Sequence, residues 1–143
     1  MKLSTKGRYG LRALVDLAVH SENGTVSIQS IANRQNISVS YLEQLVGKMR
    51  RAGIVTSIRG AAGGYRLAKS PSTISVGDVL RALEGDLEAV NCPGNDEVPA
   101  CEAAPTCVTK YVWKRINDSI SQAVDTIMIE ELVQESKKLN GKE

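Results

Sequence analysis

Phenylalanine is absent from this 143-residue chain, tryptophan and histidine occur once each, and aromatic residues make up only 3% of it. A core without Phe must be built from Leu, Ile, Val and Ala, which favours packed helices over a β-sandwich. No window approaches the ~18 consecutive apolar residues of a membrane span. The opening Met-Lys-Leu-Ser-Thr-Lys has no apolar run behind its charged start, so a cytoplasmic location without membrane contact is expected. With one histidine, no carboxylate pair at a recognisable spacing, no nucleotide loop and no Cys-His nucleophile arrangement, the chain is not expected to be an enzyme. Repeats and low-complexity tracts are also missing.

Acidic residues are scarce in one half only. Residues 1–69 hold eleven Lys or Arg against three acids, Asp16, Glu22 and Glu43, whereas residues 70–143 hold seven against thirteen. The whole-chain charge of +2 therefore conceals a local +8 and −6. A concentrated positive field suits a polyanionic partner, although a solvated basic surface produces the same count. Hydrophobic residues at 42% and charged residues at 24% are ordinary for a globular protein with one core, or with a small N-terminal domain and a helical appendage.

Ser4 and Thr5 offer an N-cap before a segment from Lys6 to His20 in which Leu11, Leu14, Val15 and Ala18 recur at helical spacing. Glu22-Asn23-Gly24 breaks it, and Ser27 caps a short helix carrying Ile28, Ile31 and Ala32. After Gln35-Asn36-Ile37, Ser38 caps a third helix with Leu42, Leu45, Val46 and Met49 inward. Helix, short helix, tight turn and helix make a helix-turn-helix arrangement.

On the third helix, Ser40, Gln44, Gly47 and Arg51 lie opposite the apolar stripe, with Tyr41, Glu43 and Lys48 on its flanks. Gln and Arg can bond base edges bidentately, Ser can bond base or phosphate, and Gly permits close approach. Every surface helix has a polar face, so this one gains meaning from the segment after the helix. Ile54 to Ile58 is a β-branched run, Arg59-Gly60-Ala61-Ala62-Gly63-Gly64 a tip, and Tyr65 to Ala68 a return strand. A hairpin after a recognition helix is a wing, and Arg59 at its base points a cation toward the flanking backbone or minor groove. A phosphate cradle for a nucleotide would need a Gly-Lys-Ser/Thr ending and a following helix, and neither is present.

Ser75 caps a helix over Val76 to Leu83, ended by Gly85. Residues 86–106 hold three prolines and all but the last of the three cysteines without a period of their own, a length that in a compact domain is functional or disordered. Val108, Tyr111, Val112, Ile116, Ile120, Ala123, Val124 and Ile127 then form a long apolar stripe, and Asp125 to Leu139 a shorter terminal helix. With no segment left to cover the stripe, it is expected to pack on its counterpart in a second subunit.

Cys92, Cys101 and Cys107 match neither paired zinc-ribbon spacing nor a Cys-x-x-Cys redox motif. An odd count argues against a disulfide framework, and their Pro, Gly, Asp and Glu neighbours fit poorly with cysteine as a buried hydrophobe. Thiolate ligands to a soft metal or an iron–sulfur cluster fit better.

Met1-Lys-Leu-Ser-Thr-Lys-Gly-Arg-Tyr-Gly, Ile37-Ser-x-Ser-Tyr-Leu-Glu-Gln-Leu, Arg59-Gly-x-x-Gly-Gly-Tyr and three Cys after a Val-Gly-Asp-Val-Leu helix resemble the Rrf2 family of winged-helix regulators over nearly the whole chain, and within it the IscR-type iron–sulfur repressors. The resemblance implies a mainly α fold with a small β-hairpin, and a homodimer whose long C-terminal helices cross while two winged domains read a palindromic double-stranded promoter site. It places a DNA-binding domain at 1–70, a connecting helix at 71–85, a cysteine-bearing sensor loop at 86–106, and dimerisation and terminal helices at 107–143. The DNA contacts implied are Ser38, Ser40, Tyr41, Glu43, Gln44, Lys48, Arg51, Arg59 and Gly60. In IscR-type proteins the residue matching Glu43 disfavours one class of DNA site until cluster binding rearranges it.

The resemblance also implies a 2Fe-2S cluster on Cys92, Cys101 and Cys107. IscR-type proteins add a histidine three residues beyond the last Cys, where this chain has Lys110. A protonated lysine has no free lone pair, so the fourth ligand stays open among Asp96, Glu97, Glu102, His20, a residue of the partner subunit and a small thiol. NsrR-type relatives take a non-cysteine ligand from the partner's first helix, and Lys6-Gly7-Arg8-Tyr9 offers no carboxylate for that purpose. The expected function is a transcription regulator, a repressor of cluster-assembly genes controlled by cluster occupancy. Two readings stand beside it: a thiol-redox or cysteine-metabolism regulator of the CymR kind without a cluster, and an iron–sulfur electron-transfer or carrier protein.

Overall fold

Four serines fall where helices must begin, and each accepts an amide of its own first turn. Ser4 caps α1 (Thr5–His20), Ser27 caps α2 (Ile28–Gln35), Ser38 caps α3 (Val39–Arg51) and Ser75 caps α4 (Val76–Glu84). Each cap is worth about 1 kcal/mol. At α4 the arrangement is reciprocal: the Asp78 amide donates to Ser75 Oγ and the Ser75 amide to Asp78 Oδ2, both at 3.0 Å. Asn36, in the left-handed region at φ 55°, ends α2 and turns the chain into α3. The computed structural model describes residues 3–90 and 106–141. Cys92, Cys101, Asp96, Glu97 and Glu102 lie outside the described residues.

β1 (Val55–Ile58) and β2 (Gly64–Leu67) pair antiparallel, with Val55 opposite Leu67 and Ile58 opposite Gly64. Ile54, expected in the first strand, is instead a buried core residue whose carbonyl accepts the Ala68 amide at 2.9 Å. Gly60 in the tip takes φ +113°, a conformation closed to most side chains. The wing is tied back to the α1–α2 connection. Thr25 donates its hydroxyl to the Ala62 carbonyl at 2.7 Å, and Val26 and Tyr65 exchange both backbone bonds at 2.8 Å.

Leu14, Leu17, Ile31, Leu42, Leu45, Met49, Ile74, Val79 and Leu83 are almost wholly inaccessible, and Ile129 and Val133 of the C-terminal region join the same cluster. The basic half and the chain's end thus share one apolar core. α5 spans Lys110–Thr126 and α6 spans Ile129–Leu139. The terminal helix therefore starts at Ile129, later than the Asp125 expected from the sequence. The reason is a short strand-like pairing: the Val76 amide donates to the Ile127 carbonyl and the Ile129 amide to the Ile74 carbonyl, both at 2.8 Å. Asp125 stays within α5, where Arg81 of α4 grips its carboxylate at 2.6 and 3.0 Å.

The apolar stripe of α5 divides between two faces. Ile120 and Val124 pack on the core, where α4 meets α5, so part of the stripe expected to be uncovered is covered by its own chain. Val112, Ile116 and Ala123 lie on average about 80° round the helix from that pair. Val112 and Ile116 are exposed there, as are Tyr111 elsewhere on the helix and Val108 and Ile127 beyond its two ends. Among the described residues, no helix is long and apolar enough to cross a membrane.

Candidate functional site

Burial of Leu42, Leu45, Val46 and Met49 sets the rotation of α3. That rotation leaves Ser40, Glu43, Gln44 and Arg51 exposed, with Gly47 and Lys48 half-buried. Arg50, which the spacing argument passed over, is exposed as well, and Lys48, Arg50 and Arg51 crowd the last turn, where cations complement the helix dipole. Arg59 and Gly60 stand exposed at the wing tip. Ser38 Oγ accepts the Tyr41 amide at 3.3 Å and keeps its proton to donate. Tyr41 is half-buried: its hydroxyl lies 2.8 Å from Thr5 Oγ1, and its ring meets Tyr9 edge-on at 6.4 Å between centroids.

α1 braces the helix-turn-helix from behind. Arg12 stacks over Tyr9 at 5.5 Å and donates to the Gln35 side chain at 3.3 Å and to its carbonyl at 3.2 Å. Asp16 is buried, yet Arg34 holds both its oxygens at 2.7 to 3.1 Å and Gln35 Nε2 adds a bond at 2.9 Å. A buried carboxylate is tolerable only when paired in this way. Its hydrogen bond to Arg34 pushes the guanidinium above its ordinary value. His20 Nδ1 bonds the Asp16 carbonyl at 2.8 Å at the end of α1, in an open groove beside Leu132 and Leu139 of α6.

Cys107 is the cysteine among the described residues, and its sulfur replaces an ordinary cap at the start of α5. Thr109 occupies the N-cap position but makes no side-chain cap bond; its hydroxyl lies 3.0 Å from Cys107 Sγ. That hydroxyl, then the amides of Lys110 and Thr109 and the charge of Lys110, hold the thiol below its ordinary value. Electropositive helix starts favour thiolates in this way. Lys110, standing where a ligand histidine was sought, places its Nζ 5.6 Å from the Tyr111 ring centroid and contributes an amide and a charge to the sulfur. Because α5 runs back along α4, Cys107 lies towards the α4 C-terminus, near which α1 begins. His20, at the other end of α1, is about 24 Å of helix rise from Ser4.

Three residues tie these parts together, and of them only Thr5 lies in a motif read from the sequence. Glu84 of α4 caps the start of α1, Thr5 bonds Tyr41, and Asn117 of α5 bonds the backbone at 89 and 90. Glu84 left a weaker trace in the sequence: an acid in the last turn of a helix opposes that helix's dipole and calls for compensation elsewhere.

The Rrf2 family, described as iron-dependent transcriptional regulators, matches residues 3–135. The HTH-type transcriptional regulator IscR of Pectobacterium atrosepticum is 39% identical over 140 residues, covering 98% of this chain and 84% of that one. Among solved structures, T. potens IscR superposes with a TM-score of 0.77 at 42% identity, covering 97% of this chain and 90% of that one. The global cysteine regulator CymR of B. subtilis also gives 0.77, at 41% identity, covering 94% and 97%. The exposed face of α3, the wing anchored beside it and these likenesses over nearly the full length converge: the chain belongs to the Rrf2 family and is a DNA-binding transcription regulator.

Proposed function

We propose that the chain acts as a homodimer that reads a palindromic promoter site, represses genes for iron–sulfur cluster assembly, and responds to occupancy of a 2Fe-2S cluster on Cys92, Cys101 and Cys107. In this reading residues 1–70 bind DNA, 71–85 connect, 86–106 sense and 107–143 dimerise. Ser40, Gln44 and Arg51 face bases and phosphates, with Ser38 and Lys48 beside them and Arg59 and Gly60 on the flanking groove. Tyr41 flanks this face with its hydroxyl bonded to Thr5, and Glu43, an acid on this face, penalises sites lacking a donor for it.

The observation that carries the cluster assignment is the Cys107 sulfur, drawn towards thiolate by the Thr109 hydroxyl and by α5 amides. That environment fits a cluster ligand, since hydrogen bonds to ligating sulfur are among the levers that tune such clusters. When bound, the cluster would supply a redox- and iron-sensitive cross-link of the cysteine segment. Lys110 serves the sulfur as a neighbouring cation, and the fourth ligand comes from elsewhere.

Oxygen-free purification should yield a brown protein with about two irons and two sulfides per chain. A colourless, iron-free product after reconstitution would refute the cluster. The likeness to CymR supports a second reading, regulation by cysteine metabolism or thiol oxidation without a cluster. Promoter binding by cluster-loaded, cluster-free and Cys-to-Ala proteins separates the two, because only the first reading predicts a response to iron.

A further inference from the structure

The carboxylate of Glu84 sits on the N-terminus of α1, eighty positions away along the chain. Its Oε2 accepts the Ser4 amide at 2.5 Å, and its Oε1 accepts the Ser4 hydroxyl at 2.6 Å. A Cβ on Gly7 would stand 3.0 Å from Oε2 and 3.1 Å from Cγ of Glu84, so glycine there leaves room for the carboxylate against the first turn. As the last residue of α4, Glu84 is unfavourably placed for its own helix dipole and favourably placed for that of α1.

One residue along α1, Thr5 Oγ1 meets the Tyr41 hydroxyl at 2.8 Å, and Tyr41 belongs to the first turn of α3. On the other side of the clasp, Gly85 ends α4 and Leu87 returns to the core, leading to the cysteine segment. A continuous polar path therefore joins the end of α4 to the helix that carries Gln44. α3 and α4 also pack directly on each other, and the hydrogen-bonded path adds a directional constraint, since hydrogen bonds weaken steeply with misalignment.

We propose that Glu84 is a positioning residue for DNA recognition: its carboxylate clasps the first turn of α1 and, through the Thr5–Tyr41 hydrogen bond, sets where α3 lies relative to the end of α4. The proposal rests on the reading that α3 contacts base edges. Displacement at residues 85–90 then changes DNA preference by favouring one of two positions of α3.

The test uses the full-length chain as purified and two fluorescent duplexes: one selected by the wild-type protein from a randomised pool, and one scrambled. Anisotropy titrations at fixed salt compare wild type, Glu84→Gln, Thr5→Val, the double variant and Gln44→Ala. Glu84→Gln and Thr5→Val are each expected to weaken the selected duplex about five- to tenfold, within the range of site-to-site coupling. The scrambled duplex should be unaffected, and the double variant should bind no worse than the weaker single one. Unchanged binding by either variant, or losses that multiply in the double variant, would overturn the proposal. Thermal unfolding shows that each variant is folded at the assay temperature; if Glu84→Gln is not, Ser4→Ala replaces it, removing one donor to the same carboxylate. Gln44→Ala should erase the preference for the selected duplex. If it does so while Glu84→Gln and Thr5→Val are silent, the positioning role alone is wrong; a silent Gln44→Ala removes the reading of α3 and the proposal with it.

Discussion

Asn117 of α5 accepts the Ala89 amide on Oδ1 at 2.8 Å and donates Nδ2 to the Val90 carbonyl at 3.2 Å. One side chain thereby satisfies two neighbouring backbone groups, two positions before Cys92 in sequence, from the helix that comes after Cys107. Both ends of the cysteine-bearing segment are anchored to α5. Asn117→Ala leaves those backbone groups unpaired and should cost about 1–2 kcal/mol in urea unfolding. The same variant should retain less iron than wild type after oxygen-free reconstitution, measured as iron per folded chain.

The bond between Thr109 and Cys107 predicts a reactive thiol. In cluster-free protein the pH midpoint for alkylation of Cys107 should lie below the ordinary 9.0, because the largest influence on it is the Thr109 hydroxyl. Thr109→Val should move that midpoint upward. Mass spectrometry of the Cys107 peptide after iodoacetamide pulses across the pH range reads both values.

Ile116 projects from the face of α5 that α4 leaves uncovered, flanked by Val112. In the homodimer proposed for this chain, Ile116→Glu would bury an unpaired charge in the subunit interface and should drive the protein to monomer at micromolar concentration. Its helical circular dichroism should be preserved, since a single subunit already exposes the side chain. Light scattering on the eluted peak gives the mass, and a wild-type monomer would contradict the interface.

Glu84 makes a signed prediction for acid stability. Burial raises its carboxyl, but the Ser4 hydroxyl, the Ser4 and Gly7 amides and Lys6 outweigh that, and the folded value lies below the ordinary 4.5. Its contribution is therefore complete above that ordinary value and is lost as pH falls through the folded one. Asp125, lowered chiefly by its bond to Arg81, acts in the same direction. Glu84→Gln should narrow the gap in urea midpoint between about pH 6 and about pH 3, leaving the part due to Asp125 and other acids.

Much of the reader was legible residue by residue. Serine ahead of an apolar repeat predicts a helix start by local chemistry, and Ser4, Ser27, Ser38 and Ser75 all cap. The 100° step predicted that burying Leu42, Leu45, Val46 and Met49 would expose Ser40, Gln44 and Arg51. By local pattern Asp125 reads as part of the terminal helix, but backbone bonds to residues 74 and 76 interrupt the chain at Ile127 and leave Asp125 in α5. Tyr41 reads as a flank residue of that face by helix phase, and its bond to Thr5 and its edge-on contact with Tyr9 are visible only in the fold.

By itself the sequence determined the helix boundaries set by caps, the face of α3 that meets solvent, the wing and the three thiols, because each depends on neighbours within a few turns. The tertiary structure decided which half of the α5 stripe stays open, how Thr109 and α5 amides surround Cys107, and the clasp of Glu84 on Ser4. Those depend on pairs as far as eighty positions apart. Dipoles and hydrogen bonds act over a few ångströms, and only the packing of α1 against α4 brings such pairs within that range.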